Sequence, residues 1–479
     1  MSATRSNRTW PAHFRLANHI AGRSVAGGGD PLPVSTPITG DPVATLQTAS
    51  LAELDEAIEA ARLTFDRGIW AARPTGERAA VLRGTATRLR AQADTLVPLI
   101  MLDNGKTRGE AVIDVMAAAA AFEAGAESCV AATVRDMGVE RGVERTISRE
   151  PVGVVAGITP FNAPLMFVAL KAAPALAAGN SVVLKPSERA PLVPIAVCDA
   201  AAAAGLPPGV LSLVQGDASL AARLAEDPRV DMITLTGGTA AGQAVMRAAA
   251  TTIKRVLLEL GGKSANIILA DADLEMAVPA AAAAIFRNAG QRCLSGSRLL
   301  VQARVADEVE ARLTALASAL RVGDPFEDGT EVGAVIDERA MTAIDAFITC
   351  ATNDPGVMVA AGGQRVETLR PGSFFRPTVL TVIRVADADE AVHVANDSAY
   401  GLTGAVWTRD TKLAMAMARE IRTGYFWINT FGAVFGDMPF GGFKASGLGR
   451  EAGQFGYESY TELKSIMLDT TGGTTAPLF

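Results

Sequence analysis

The chain has 479 residues, 49% of them hydrophobic and 20% charged, with a formal net charge of -7. That length suits roughly two or three domains, each with its own core. The acidic balance excludes a basic footprint for nucleic acid or an anionic membrane surface, and no apolar run approaches the ~20 residues that span a bilayer.

The first residues, Met-Ser-Ala-Thr-Arg-Ser-Asn, lack the apolar region of a signal peptide. The four cysteines (Cys129, Cys198, Cys293 and Cys350) show neither metal-ligand spacing nor a disulfide pattern. A reduced, cytoplasmic protein without a metal centre is expected. The three histidines, His13, His19 and His393, all lie far from Cys293 in sequence. A carboxylate is therefore the expected base for any chemistry at that thiol.

Up to about residue 48 the glycine run 27–29 and the prolines Pro31 and Pro33 predict short strands and loops. Ser50-Leu-Ala-Glu53 reads as a capping box, in which hydroxyl and carboxylate satisfy each other's backbone donors. It opens a helix to about Phe65. Helices follow over 73–92, 94–104 and 107–126, with Gly105 as a natural stop. From 131 to 150, Val134, Val139, Val143 and Ile147 are interleaved with charged residues and threonines. This pattern predicts strands with one exposed face.

From Pro151 a strand–helix rhythm begins. Short apolar runs at 152–158, 181–185, 210–214 and 232–236 are separated by helical stretches at 167–178, 191–204, 220–226 and 240–250. The alternation predicts an α/β, doubly wound parallel sheet covered on both faces. Ligands of such sheets sit beyond the carboxyl ends of the strands, so the loops there are informative. After the first run comes Thr159-Pro-Phe-Asn-Ala-Pro164, where the amide of Asn162 is suited to stabilise an oxyanion or simply to form a turn. After the second comes Lys185-Pro-Ser-Glu188, suited to ribose hydroxyls or to a solvated charge pair. After the fourth comes Gly237-Gly-Thr-Ala-Ala-Gly242, whose glycines let backbone approach a pyrophosphate at a helix start.

Two motifs carry the chemistry. Glu259-Leu-Gly-Gly-Lys-Ser264 follows the fourth helical stretch. Residues 286–297, Phe-Arg-Asn-Ala-Gly-Gln-Arg-Cys-Leu-Ser-Gly-Ser, join a helix over 274–285 to a strand over 298–302. A thiol at a glycine-flanked corner can be held facing a cleft, and an ionised cysteine is a strong nucleophile. The plainer alternative for Cys293 is a small buried hydrophobe, against which the polar, Gly-rich setting with Gln291 argues. Further on, the pattern predicts a helix over 339–350, a strand over 373–380, helices over 389–395 and 412–421, a strand over 405–408 and a final strand over 460–468.

Together and in this order, Glu-Leu-Gly-Gly-Lys and Gly-Gln-Arg-Cys resemble the aldehyde dehydrogenase superfamily, and the likeness runs from about residue 20 to about 470. The resemblance implies two doubly wound domains: a cofactor-binding domain over 1–126 and 148–256, and a catalytic domain over 257–440. A β-arm and tail over 127–147 and 458–479 would pair subunits into a homodimer or homotetramer, with a plain surface hairpin as the alternative. By motif position, the resemblance implies Cys293 as nucleophile, Glu259 as general base, and Asn162 with the Cys293 N–H as oxyanion hole. Lys171 and Glu462 match a proton relay, and Asn429 and Phe440 match parts of a substrate funnel. The implied cofactor is NAD, favoured over NADP because Glu188 would meet a 2′-phosphate. Its expected contacts are Thr159, Pro160, Phe161, Lys185, Ser187, Glu188, Gly216, Gly237, Gly238, Thr239 and Leu260. Ala163, Phe167, Leu170, Leu294, Phe431 and Phe435 are candidate pocket walls for an apolar aldehyde. Arg292 is placed to pair with a substrate carboxylate or to form a structural ion pair.

One departure stands out. Relatives carry Glu-x-Phe-Gly-Pro before the late helix, whereas here Thr381 runs directly into Val382. The Glu normally holds the nicotinamide ribose. The implied reaction is oxidation of an aldehyde to a carboxylic acid through a thiohemiacetal and a thioester. Phe161 and Arg292 are shared with a CoA-acylating semialdehyde branch, and the absent segment admits a non-catalytic, cofactor-binding relative.

Overall fold

The computed structural model describes residues 16–130 and 134–472. His13, residues 131–133 of the predicted arm and residues 473–479 of the tail lie outside the described residues. The capping box at Ser50 forms as its sequence demands: Glu53 accepts from the Ser50 backbone N–H at 2.7 Å, and the helix runs Leu51–Asp66. A second such box at Thr107 and Glu110 starts the helix Arg108–Cys129. Gly105 ends the helix Ala93–Asn104 in the left-handed conformation, φ 77°, that side chains rarely adopt.

The predicted runs form an 8-stranded sheet. Its centre is five parallel strands in the spatial order Leu211–Leu213, Ser181–Lys185, Val154–Ile158, Met232–Thr236 and Arg255–Glu259. Four of these strands are buried along their whole length, as a sheet covered on both faces requires. The helix Pro164–Ala178 packs closely on Arg108–Cys129 and carries the buried Lys171. A second sheet has 5 strands, ordered Ile383–Val385, Arg298–Gln302, Ala265–Ile268, Thr403–Trp407 and Tyr425–Ile428, all parallel. The fold class is therefore the one expected.

A third sheet has Val134–Glu140, Val143–Pro151 and Thr461–Asp469, the last two antiparallel along their full length. It leaves Val134, Met137, Val139, Leu463, Ile466, Met467 and Leu468 exposed.

The long strand expected over 373–380 is not continuous. Only Val379–Leu380 is a strand, paired with Val359–Ala361, and Phe375 makes an isolated bridge to Arg365. Pro377 interrupts the ladder because it has no N–H to donate. Beyond it, Thr381 N–H donates to Met358 O and Val382 N–H to Glu310 Oε2, and Ile383 enters the second sheet. The chain therefore crosses from one sheet to the other with both flanks seated.

Residues near 440–448 tie the two main sheets together. Phe443–Lys444 pairs with Tyr400–Gly401, while Gly447–Leu448 adds an antiparallel edge to Leu258 and Glu259. Between them, Ser446 is buried. Its carbonyl accepts from Leu260 N–H at 2.9 Å, and its hydroxyl donates to Gly261 O and accepts from Gly401 N–H.

Candidate active site

The five parallel strands end on one side, and the expected cofactor residues gather there. Gly216 follows Leu211–Leu213; Lys185, Ser187 and Glu188 follow Ser181–Lys185; Thr159, Pro160 and Phe161 follow Val154–Ile158. Gly237, Gly238 and Thr239 follow Met232–Thr236, and Leu260 follows Arg255–Glu259. Lys185 Nζ donates to Glu188 Oε2 at 2.9 Å. Ser187 Oγ accepts from Arg189 N–H, and the Arg189 guanidinium lies 4.3 Å from the centre of the Phe161 ring. The hydroxyl of Thr159 is buried without a hydrogen-bond partner among the described residues. Gly238 caps the helix Thr239–Ala249 without any side-chain acceptor, leaving the first N–H groups of that helix free. Beside it runs a groove of about 500 Å³ lined by Thr239, Gly242, Gln243, Met246, Leu260 and Lys444, among others.

Glu259 is the last residue of its strand and is buried. Neither carboxylate oxygen has a hydrogen-bond partner among the described residues. Burial holds its proton affinity well above the usual carboxylate range, and the neighbouring charge of Glu451 adds to this. Lys171 and Arg450 pull the other way. Backbone closes tightly on this carboxylate: a Cβ on Gly441 would stand 2.6 Å from Glu259 Oε1 and 2.8 Å from Gly449 O.

Cys293 lies in the turn that follows the 3-10 helix Arg287–Gly290, at the amino edge of the second sheet. That turn bends through Asn288 and Ala289, at φ 54° and 51°. It is pinned by Asn288 N–H donating to Glu110 and by Gln291, whose side-chain oxygen accepts from Ile336 N–H. The Glu-Leu-Gly-Gly segment packs directly on the thiol's own backbone, since a Cβ on Gly262 would come within 3.0 Å of Cys293 O. Tyr425, Phe431, Ala433 and Phe440 line the same cluster as the Cys293 side chain, with Leu294, Leu402 and Trp427 at its base. Burial pushes the Cys293 thiol up to about 11, and Glu259 pushes in the same direction; Arg292 and the backbone N–H groups of Leu294 and Cys293 oppose them. Of the other cysteines, Cys129 and Cys198 are buried with thiols held up by desolvation, and Cys350 is exposed on a separate helix.

Asn162 is brought to the same turn. Its amide donates to Gln291 O at 2.8 Å, and its carbonyl accepts from Asn288 Nδ2 at 3.0 Å. Two expectations are corrected. Glu462 lies on the exposed strand Thr461–Asp469 and pairs with Arg255 at 2.7 Å, so it is not the partner of Lys171. That partner is Glu451, which the buried Lys171 ammonium contacts directly and to which Thr234 Oγ1 also reaches. Glu451 follows Arg450 in the Pro439-to-Arg450 motif, and that adjacency was the available signal. Asn429, expected in the funnel, instead bridges Thr408 with both ends of its amide. Phe440 does sit beside the thiol, whereas Phe435 is exposed.

The comparisons with known proteins agree with this geometry. The family model described as "Aldehyde dehydrogenase family" matches residues 25–466. Betaine aldehyde dehydrogenase of Bacillus subtilis is 37% identical over 461 residues, covering 91% of this chain and 94% of that protein. Betaine aldehyde dehydrogenase 1 of Oryza sativa is 37% identical over 465 residues, covering 91% and 92%. The crystal structure of betaine aldehyde dehydrogenase from Staphylococcus aureus in complex with NAD+ superposes with a TM-score of 0.93 at 34% identity, covering 96% of each chain. A family match across this span, carrying the cysteine and glutamate motifs in one cleft, means that the chain belongs to the aldehyde dehydrogenase family.

Proposed function

We propose that the protein oxidises an aldehyde to the carboxylic acid with NAD, using Cys293 as nucleophile and Glu259 as general base. The observation that carries this is the shared cleft: Gly262 of the Glu259 motif rests on the Cys293 carbonyl, and the Glu259 carboxylate lies close enough to help raise the Cys293 thiol. The protein's own groups suit the cofactor. The uncapped start of Thr239–Ala249 offers N–H groups and a positive dipole end to a pyrophosphate. Lys185 and Glu188 offer a donor and an acceptor to ribose hydroxyls, and Thr159 has an unused buried hydroxyl.

The Cys293 thiol gives its proton to Glu259, which releases it to solvent, and the thiolate so formed adds to the aldehyde carbon. The raised proton affinity of that carboxylate brings it nearer neutrality, where a general base works best. The resulting oxyanion is held by the Cys293 N–H and by Asn162, once its amide turns from Gln291 O. Bound nicotinamide supplies the acceptor for the hydride leaving that carbon. Glu259 then takes a proton from water as it attacks the thioester, the C–S bond breaks, and the acid departs. Lys171 and Glu451 form a buried ion pair within electrostatic reach of Glu259 and set its proton affinity in opposite directions.

The existence of two separate parallel sheets supports a division into a cofactor unit (1–126 and 148–256) and a catalytic unit (257–440). The exposed apolar row on the third sheet supports a homodimer or homotetramer. Among the described residues no helix is long and apolar enough to cross a membrane, and the free cysteines support a cytoplasmic location. The test is NADH formation over an aldehyde panel, with and without CoA. NADH formed without CoA supports the reading; a strict CoA requirement points to acyl transfer, and no NADH with any aldehyde refutes it.

A further inference from the structure

Beside the thiol stands an arginine, Arg292, that no described residue pairs, with a second, Arg287, in electrostatic range of it. Arg292 immediately precedes Cys293, and Arg287 opens the turn that leads to it. Neither forms a hydrogen bond or an ion pair with any described residue. Other half-buried arginines of the chain are engaged: Arg62 with Asp231, Arg189 with Asp337, Arg229 with Asp227. Arg292 is half-buried and feels the like charge of Arg287, which together weaken its hold on its proton. Glu110 is within electrostatic range of it, but its oxygens are already committed. One accepts from the Thr107 N–H and hydroxyl, the other from Asn288 N–H.

Arg287 is exposed and solvated, but a half-buried guanidinium such as that of Arg292, without a paired counter-ion, is costly to keep. Its location says what offsets the cost. The Arg292 guanidinium reaches the loop over the thiol, with Nη2 3.8 Å from where a Gly432 Cβ would stand. The residues flanking Gly432 line the Cys293 cluster with Tyr425 and Phe440. The cleft mouth thus combines an aromatic wall with the unpaired guanidinium of Arg292, with Arg287 within electrostatic range of it. An aldehyde at Cys293 whose far end carries a carboxylate meets both, hydrocarbon on the rings and anion on the guanidinium.

We propose that the preferred substrate is an aldehyde bearing a carboxylate, whose anionic end is held by Arg292 with Arg287 beside it. This rests on the aldehyde-oxidising reading and separates the chain from what the names of its relatives suggest. Betaine aldehyde carries a fixed positive charge, which the same two arginines repel.

The experiment compares kcat/KM for succinic semialdehyde, butanal and betaine aldehyde, of similar size but of negative, neutral and positive charge. The wild type is expected to favour succinic semialdehyde over butanal by roughly 10- to 100-fold, the range for one charge-assisted contact, with betaine aldehyde the poorest. Arg292→Gln should lose far more on succinic semialdehyde than on butanal, and Arg292→Lys should retain part of the preference. A second readout needs no turnover: succinate, but not succinamide, should slow alkylation of Cys293 by iodoacetamide, and Arg292→Gln should abolish this protection. Equal rates on succinic semialdehyde and butanal in the wild type would overturn the proposal. So would equal losses on both in Arg292→Gln, which mark a role confined to activating the thiol. A protein that oxidises no aldehyde removes the proposed function, while succinate protection still decides whether the arginines hold a carboxylate.

Discussion

Replacing Glu451 by Gln tests the buried pair and the base together. Lys171 is fully buried and Glu451 nearly so. Removing one partner strands an ammonium in the interior, a change that costs about 3–5 kcal/mol when a buried pair is broken. Glu451→Gln should therefore lower the urea midpoint clearly. Lys171→Met combined with Glu451→Leu should recover most of that loss, because an apolar pair leaves no charge to desolvate. The kinetic sign follows from the same charges. Glu451 helps to raise the proton affinity of Glu259, whereas Lys171 lowers it. Without the Glu451 carboxylate the proton affinity of Glu259 falls, so its base form persists to lower pH. The acid limb of kcat should then move to lower pH in Glu451→Gln, read from a pH–rate profile under conditions where deacylation limits turnover. Unchanged stability, with an acid limb at the same or higher pH, would refute both the pairing and its influence on the base.

Cys293→Ala should abolish aldehyde oxidation and any esterase activity; esterase at wild-type level in that variant would remove Cys293 from its role. Glu188 should favour NAD over NADP in titrations, and Glu188→Gln should narrow the gap; equal affinities in the wild type would exclude a carboxylate at the 2′ position. Gly441→Ala places a methyl group against Glu259 and the Gly449 carbonyl, so acyl-enzyme should accumulate by intact mass while the first turnover stays comparatively fast. The direct join of Thr381 to Val382 leaves the adenosine-side residues intact, so NAD should bind with ordinary affinity while a loosely held ring slows hydride transfer by as much as ~100-fold. Inserting a Glu-x-Phe-Gly-Pro segment there should raise the dehydrogenase rate without a matching rise in esterase rate. A wild-type rate already near ~10 per second would show that another residue holds the ribose.

What could be read in the sequence was what neighbours in the chain decide. The box at Ser50 and the stop at Gly105 close within a few residues, and both formed; a second box at Thr107, not singled out from the sequence, closes in the same way. The buried parallel strands announced themselves as unbroken apolar runs, and the loops after them held the candidate cofactor residues. Glu451 and Glu462 show the limit. Both are acids near the end of the chain, and only packing buries the first against Lys171 and leaves the second on an exposed strand with Arg255. The pairing of Gly447–Leu448 with Leu258 and Glu259 was equally hidden, because its two halves are distant in sequence. The solitude of Arg287 and Arg292 was hidden too, since a missing counter-ion shows only when the whole neighbourhood is folded.

Ser446 has a mechanical meaning. It holds Leu260 and Gly261 on one side and Gly401 on the other, so the two large sheets share a seam there. The same seam carries the reacting groups: Glu259 pairs with Gly447 on it, and Gly262, next to Gly261, rests on the Cys293 carbonyl. Base and nucleophile are thereby fastened to the one stretch of chain that both halves hold in common, so their aim at each other does not depend on either half alone.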